Sequence, residues 1–170
     1  MIALPAAEAH HAVAVMRLQE GERVIVVDGC GMAVRGEIVR ASKNRVDVKP
    51  HADIRNFGEP SVRLTLAAGL SAGEKFDTVV EKGTELGVKR FVPIISEKSR
   101  VKLAEPSKAA ARRTRLEKVA LAAMKQCRRS YRPEIATPLT LRQFLEETED
   151  RKSTRLNSSH IQKSRMPSSA

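Results

Sequence analysis

Residues 71–100 read SAGEKFDTVVEKGTELGVKRFVPIISEKSR, and this stretch decides the fold. Phe76, Val79, Val80 and Gly83 recur at i, i+3, i+4 and i+7, the spacing of one helical face. Ser71 and Glu74 have capping-box spacing, in which hydroxyl and carboxylate each satisfy an unpaired backbone N–H. Gly87 suits the left-handed residue that stops a helix. The apolar run 91–95 then reads as a strand, and 96–100 as a polar loop beyond its carboxyl end, where open α/β sheets gather ligands.

Working outward, residues 62–69 alternate Val62, Leu64 and Leu66 with Arg63 and Thr65, so a strand precedes the helix. Strand, helix and strand in that order predict a right-handed crossover between parallel strands. Pro93 cannot donate a ladder hydrogen bond and points to an edge or a bulge.

Upstream, residues 4–18 predict a helix, with Pro5 in its first turn, Ala9, Ala12, Val13 and Met16 on one face, and Arg17 at its end. The period then changes. Residues 23–28, 33–40 and 45–49 read as three short strands, separated by turns at 28–31 and 42–44. They predict a small antiparallel barrel or sheet that must lean on the first helix, because so few residues bury little alone. The polar residues 51–60 read as a linker, with a domain boundary near residue 58.

Downstream, residues 107–129 predict a long helix. Leu116, Val119, Ala120, Ala123 and Cys127 lie on one face, with seven Arg and Lys residues around the rest. A second capping box, Thr140 with Gln143, and a staple of Leu139 on Phe144 open a helix over 140–149. The tail 151–170 differs in kind, with five Lys or Arg, six Ser and no acid. It reads either as a disordered basic arm or as foreign, adaptor-like sequence.

The chain has 170 residues, enough for one domain or two small ones, and 41% hydrophobic content supports a folded core. Aromatics are only 3%, so that core is aliphatic. A net charge of +11 directs attention to polyanions, nucleic acid first. Cys30 and Cys127 form no C-x-x-C pair and read as thiols of a reducing compartment. His10 and His11 are adjacent, a poor metal pair on a helix, and no metal site is expected. No signal peptide or long apolar span is visible, so a cytoplasmic protein with no membrane partner is expected. P-loop, G-x-G-x-x-G, G-x-S-x-G and H-E-x-x-H motifs are all missing. Asp77, Glu81 and Glu85 step along one helix face, where a solvated row beside Lys82 outweighs acid–base chemistry.

Three groups of words carry a resemblance: AEAHHAVAVMRLQEGERVIVVDG, GEKFDTVVEKGTELGVKRFVPIISEKSRVKL and RLEKVALAAMKQCRRSYRPEI. In order and spacing, T-E-L-G-V, S-E-(K/R)-S and Q-C-x-R-x-x-x-P-E-I resemble the bacterial 16S ribosomal RNA (uracil-N3)-methyltransferase family over about residues 2–149. The resemblance implies an α/β protein: a small N-terminal PUA-like β-barrel over 1–57, with or without its first strand, that helps hold RNA. A SPOUT methyltransferase domain follows over 58–150. In the family that domain is tied in a trefoil knot that binds S-adenosylmethionine. The implied reaction moves the methyl group of S-adenosylmethionine to N3 of a uridine in 16S rRNA, with the small ribosomal subunit as partner. The family's G-P-E-G-G and L-R-T-E-T-A-like words are missing, so the resemblance implies an incomplete SPOUT domain lacking the knot, an inactive chain, no cofactor-binding residue and a non-native tail over 151–170. The family forms homodimers through its knot region, which leaves pairing of this chain open. Arg128 stands where the family has glycine, and Gly83 where it has a small helix former. Arg17, Lys43, Arg100, Lys102, Gln126 and Arg129 match polar positions expected to face RNA, while the catalytic base stays unknown. The alternative is a non-catalytic RNA-binding module.

Overall fold

A computed structural model of the protein describes residues 1–71, 73–96 and 106–149. The expectations for Arg100, Lys102 and the basic tail fall outside the described residues.

Valine-rich alternation builds the first sheet. Strands β1 (Ile2–Ala3), β2 (Arg23–Val27), β3 (Met32–Ser42) and β4 (Arg45–Arg55) pair antiparallel in the order β1-β4-β3-β2. One face carries Ile38, Val46 and Val48, all buried, with Val24 and Val26 beside them. Helix α1 (Ala6–His10) continues as a π-helical stretch, His11–Val15, and covers that face with Ala9 and Ala12. The helix is thus shorter than the expected 4–18. Arg17 follows it at φ 57°, the left-handed stop position, and Leu18 N–H returns to Ala12 O at 2.9 Å. The first half of the polar run that reads as a linker is strand: β4 continues through Arg55, paired to Met32. Its residues are exposed over 49–53, so polarity there reflects an open sheet rather than a loop.

The second sheet begins at β5 (Leu64–Gly69), which runs parallel to β6 (Val88–Ile95) across the crossover helix α2 (Lys75–Glu85). Helix α3 (Pro106–Gln126) packs against α2, and β7 (Glu134–Ile135), β8 (Leu139–Thr140) and α4 (Leu141–Glu149) complete the described chain. Phe76, Val80, Phe91, Leu116, Ala120 and Ile135 form the core between sheet and helices. Burying each of the larger side chains contributes about 1.5–3 kcal/mol. Gly83 belongs to this packing: a Cβ there would lie 2.5 Å from Phe91 Cε1. A helical glycine costs about 1 kcal/mol of propensity, offset here by the seat it leaves for the ring. Gly87, at φ 95°, ends α2 as expected.

Pro93 is buried in the middle of the sheet rather than at its edge. The reason lies across from it. Strand β6 pairs with β7 through Arg90 and Phe91, then with β8 through Ile94 and Ile95. Pro93 sits in the interval between the two pairings, where a residue without an N–H is tolerated. At β8 the local signals agree with the structure: Gln143 N–H bonds Thr140 Oγ1 at 3.2 Å, Thr140 N–H bonds Gln143 Oε1 at 2.9 Å, and Leu139 and Phe144 pack on one small cluster.

Candidate functional site

The carboxyl ends of β5 and β6 lie together, tied by Leu70 N–H to Ile94 O at 2.8 Å. After β5 the chain enters the loop that precedes α2. The expected Ser71–Glu74 capping box does not form, and the N-terminus of α2 has no side-chain cap. Two arginines of α3 reach this loop. Arg112 Nη2 donates to Ser71 O at 2.6 Å, and Arg115 Nη2 donates to Glu74 Oε1 at 2.9 Å and reaches Asp77 Oδ2 at 2.7 Å. These carboxylates, Glu74 first, raise the Arg115 pKa above its ordinary value. The helix-face carboxylates are likewise occupied: Lys82 lies 3.0 Å from Glu81 and 2.9 Å from Glu85. They form a solvated ion row with no free base.

This end of the sheet has little room. The depression under Leu70, Pro93, Arg112, Leu116, Ile135 and Pro138 has a volume of about 10 Å³. A water molecule needs about that much, and S-adenosylmethionine needs far more. That depression is therefore too small to seat the cofactor. Nor do the described residues contain a group of three His, Cys, Asp or Glu residues placed to hold a metal ion.

The segment after α3 does something the sequence did not suggest. Arg129, expected to face RNA, has a side chain 2% exposed that lies against the Glu59 side chain, itself 1% exposed. Its Nη2 meets Glu59 Oε2 at 2.7 Å and its Nε meets Oε1 at 3.2 Å, a bidentate pair. Its Nη1 donates to Thr84 O at 2.7 Å and Val88 O at 2.9 Å. Every edge of the guanidinium is used, so none remains for phosphate. Glu59 also accepts Tyr131 N–H at 2.9 Å. The one available sequence signal was Glu59 itself, the sole acid between Asp53 and Glu74.

Around that pair, residues 128–132 are bound to the first sheet. Ser130 O accepts Gly31 N–H at 3.0 Å, Ser130 N–H donates to Phe57 O at 3.0 Å, and Arg132 N–H donates to Gly29 O at 2.8 Å. Approach is close enough to require glycine. A Cβ on Gly31 would lie 2.5 Å from Tyr131 Cε2, and one on Gly58 would lie 2.6 Å from Arg128 O. Arg128 itself has φ 58°, which explains why glycine suits that position. Lys89 Nζ lies 4.1 Å above the Tyr131 ring.

The remaining candidates are scattered. Arg17 and Lys43 are both exposed, and Glu20 Oε1 accepts Ala41 N–H at 3.0 Å, which holds the loop after Arg17 beside the β3–β4 turn bearing Lys43. Gln126 is exposed at the end of α3, whose Lys125 pairs with Glu8 of α1.

Residues 58–168 match the family model described as an RNA methyltransferase domain, and residues 4–50 match that described as an RNA methyltransferase PUA domain. The ribosomal RNA small subunit methyltransferase E of Bacillus subtilis (strain 168) is 32% identical over 143 residues, covering 84% of this chain and 56% of that protein. Its namesake in Synechocystis is 30% identical over 146 residues, covering 86% of this chain and 46% of that protein. The chain thus spans about half the length of these curated relatives. Among solved structures, the ribosomal RNA small subunit methyltransferase E of Neisseria gonorrhoeae, bound to S-adenosyl methionine, superposes with a TM-score of 0.75 at 26% identity. The match covers 86% of this chain and 59% of that one. By the length of its matches and the order of its two parts, the chain belongs to the RNA methyltransferase family that includes ribosomal RNA small subunit methyltransferase E.

Proposed function

We propose that this chain is part of an enzyme that methylates N3 of a uridine in small-subunit ribosomal RNA, with S-adenosylmethionine as donor. The observation that carries the reading is the tandem match, a PUA part over 4–50 followed by a methyltransferase part over 58–168. N3 of uridine carries a proton, so the reaction needs that proton removed and the base held in line with the methyl carbon. N3 also lies on the pairing edge, so the base must be unpaired or flipped out. The described residues are assigned to positioning RNA: Arg17, Lys43 and Gln126, with Arg100 and Lys102 beyond them. The donor is assigned to chain outside the described residues, since the depression at the carboxyl ends of β5 and β6 is too small for it, and this 170-residue chain alone is expected to be inactive.

The test is made on ribosomal RNA from the host with this gene disrupted. An N3-methyl group blocks base pairing and stops reverse transcriptase. One stop at a uridine of the small-subunit RNA should vanish and return when the gene is restored. An unchanged pattern of stops overturns the reading. Titration calorimetry of the 170-residue chain with S-adenosylmethionine should show no saturable heat. Saturable binding would overturn the assignment of the donor site.

A further inference from the structure

The face of the first sheet turned away from α1 is a cationic groove. It is open to solvent, has a volume of about 590 Å³ and is lined by Arg23 and Ile25 of β2, Arg35 and Glu37 of β3, and His51 of β4. The shape comes from a β-bulge. Arg35 pairs with Ala52 and Gly36 with Pro50, so His51 is the extra residue between them. Bulges re-aim side chains, and this one places an imidazole at the groove. Gly36 is required beneath it, because a Cβ there would lie 2.5 Å from Val48 Cγ1 and 2.6 Å from Lys49 O.

The charges on this face are unbalanced. Glu37 is cross-strand neighbour to both Arg23 and Lys49, and it lies 3.7 Å from His51 Nε2. One carboxylate thus stands among two cations and a histidine, with Arg35 one cross-strand step away beside Ile25. Neither the Arg23 nor the Arg35 side chain makes a hydrogen bond or ion pair among the described residues. The floor between them is apolar, with Ile25 41% exposed.

We infer that this groove holds a short single-stranded stretch of RNA, with phosphates at Arg23, Arg35 and Lys49 and a base against Ile25 and the His51 ring. Charge complementarity selects a polyanion. The concave apolar floor selects an unpaired base, which offers a flat face that a duplex hides. A bilayer surface cannot enter a concave sheet face. The inference rests on the RNA-methyltransferase reading for the kind of nucleic acid, and assigns to this face a role that Arg17, Lys43 and Gln126 do not fill.

The test uses the whole 170-residue chain and a fluorescein-labelled 12-nucleotide oligouridine, read by anisotropy at about 50 and about 200 mM salt. The R23E/R35E variant should bind about tenfold or more weakly, and its log–log salt slope should be shallower by about 1.4, at about 0.7 per lost phosphate contact. The K75E/K118E variant, which changes net charge equally on two exposed helical lysines of the other sheet's layer, should stay within about threefold. R23K/R35K should bind nearly as the parent does. Equal losses from both charge-reversed pairs would overturn the groove as the site. So would parent-like binding by R23E/R35E, an outcome that leaves the methyltransferase reading untouched, since that is decided by the ribosomal RNA of the disrupted host. No binding of any strand by the parent chain, or groove-dependent binding to phosphatidylserine vesicles without oligouridine binding, would overturn RNA as the occupant.

Discussion

Arg129 and the pair Arg23 and Arg35 are the same residue type put to opposite uses. Arg129 is enclosed, meets a carboxylate through two nitrogens, and donates to the carbonyls that end α2 and begin β6. Arg23 and Arg35 stand open on a sheet face, their guanidinium groups without a bonded partner among the described residues. The difference is one of surroundings. A guanidinium out of water must be fully paired or it destabilises the fold, whereas one in water can wait for a ligand. A basic motif residue is therefore no evidence of RNA contact until its burial is known, and the cations best placed for RNA need not lie in any motif.

The sharpest way to break the comparison is to remove each arginine and measure folding. Arg129→Ala leaves the buried Glu59 carboxylate without the cation that pairs it, and should cost about 3–5 kcal/mol in urea unfolding followed by circular dichroism. R23A/R35A should stay within about 0.5 kcal/mol of the parent, as surface changes usually do. Equal effects from the two would erase the distinction.

A smaller effect should come from the backbone around the buried pair. Gly31→Ala forces a methyl group against the Tyr131 ring, at a φ of 107° that non-glycine residues avoid. A cost of about 1–3 kcal/mol is expected from overpacking and strain together. Tyr131 is the chain's single tyrosine and there is no tryptophan, so its near-ultraviolet signal reports the joint directly. An unshifted signal and unshifted stability would show that residues 128–132 are not held against the first sheet.

What could be read from sequence divides along the same line, between local and distant causes. Helix α2, its stop at Gly87 and the Thr140–Gln143 cap were legible, because each depends on residues within a few positions. The Ser71–Glu74 cap had equally good spacing and fails, because α2 begins only at Lys75 and Arg115, about forty residues away, takes the Glu74 carboxylate. Pro93 reads as an edge residue because its neighbours β7 and β8 lie far downstream, and the interval between them cannot be seen beforehand. Residues 51–55 read as linker because an open sheet face lacks the apolar alternation that marks a strand. Arg129 was misplaced for the same kind of reason, since its burial depends on Glu59, seventy positions earlier. The groove went unread because Arg23, Arg35 and His51 come from three strands, and only register and a bulge unite them.

The smallest expected effect concerns the turn that feeds the joint. Asp28 Oδ1 accepts Cys30 N–H at 2.7 Å and Met32 N–H at 3.0 Å, and so shapes the turn carrying Gly29 and Gly31. The bond from Cys30 is the largest cause holding the Asp28 pKa below its ordinary 3.8. A folded-state pKa below the unfolded one means stability that is fully present above the unfolded value and is lost as pH falls through the folded value. Asp28→Asn removes the titration but keeps one acceptor oxygen for the turn. The parent should therefore melt slightly higher than D28N at about pH 6, and the gap should close as the pH drops below about 3.8. Because Asp28 is exposed, solvent keeps this effect far below that of Arg129→Ala. A gap that holds constant down to low pH would mean that the carboxylate charge plays no part in the turn. The joint would then rest on Arg129, Glu59 and the glycines alone.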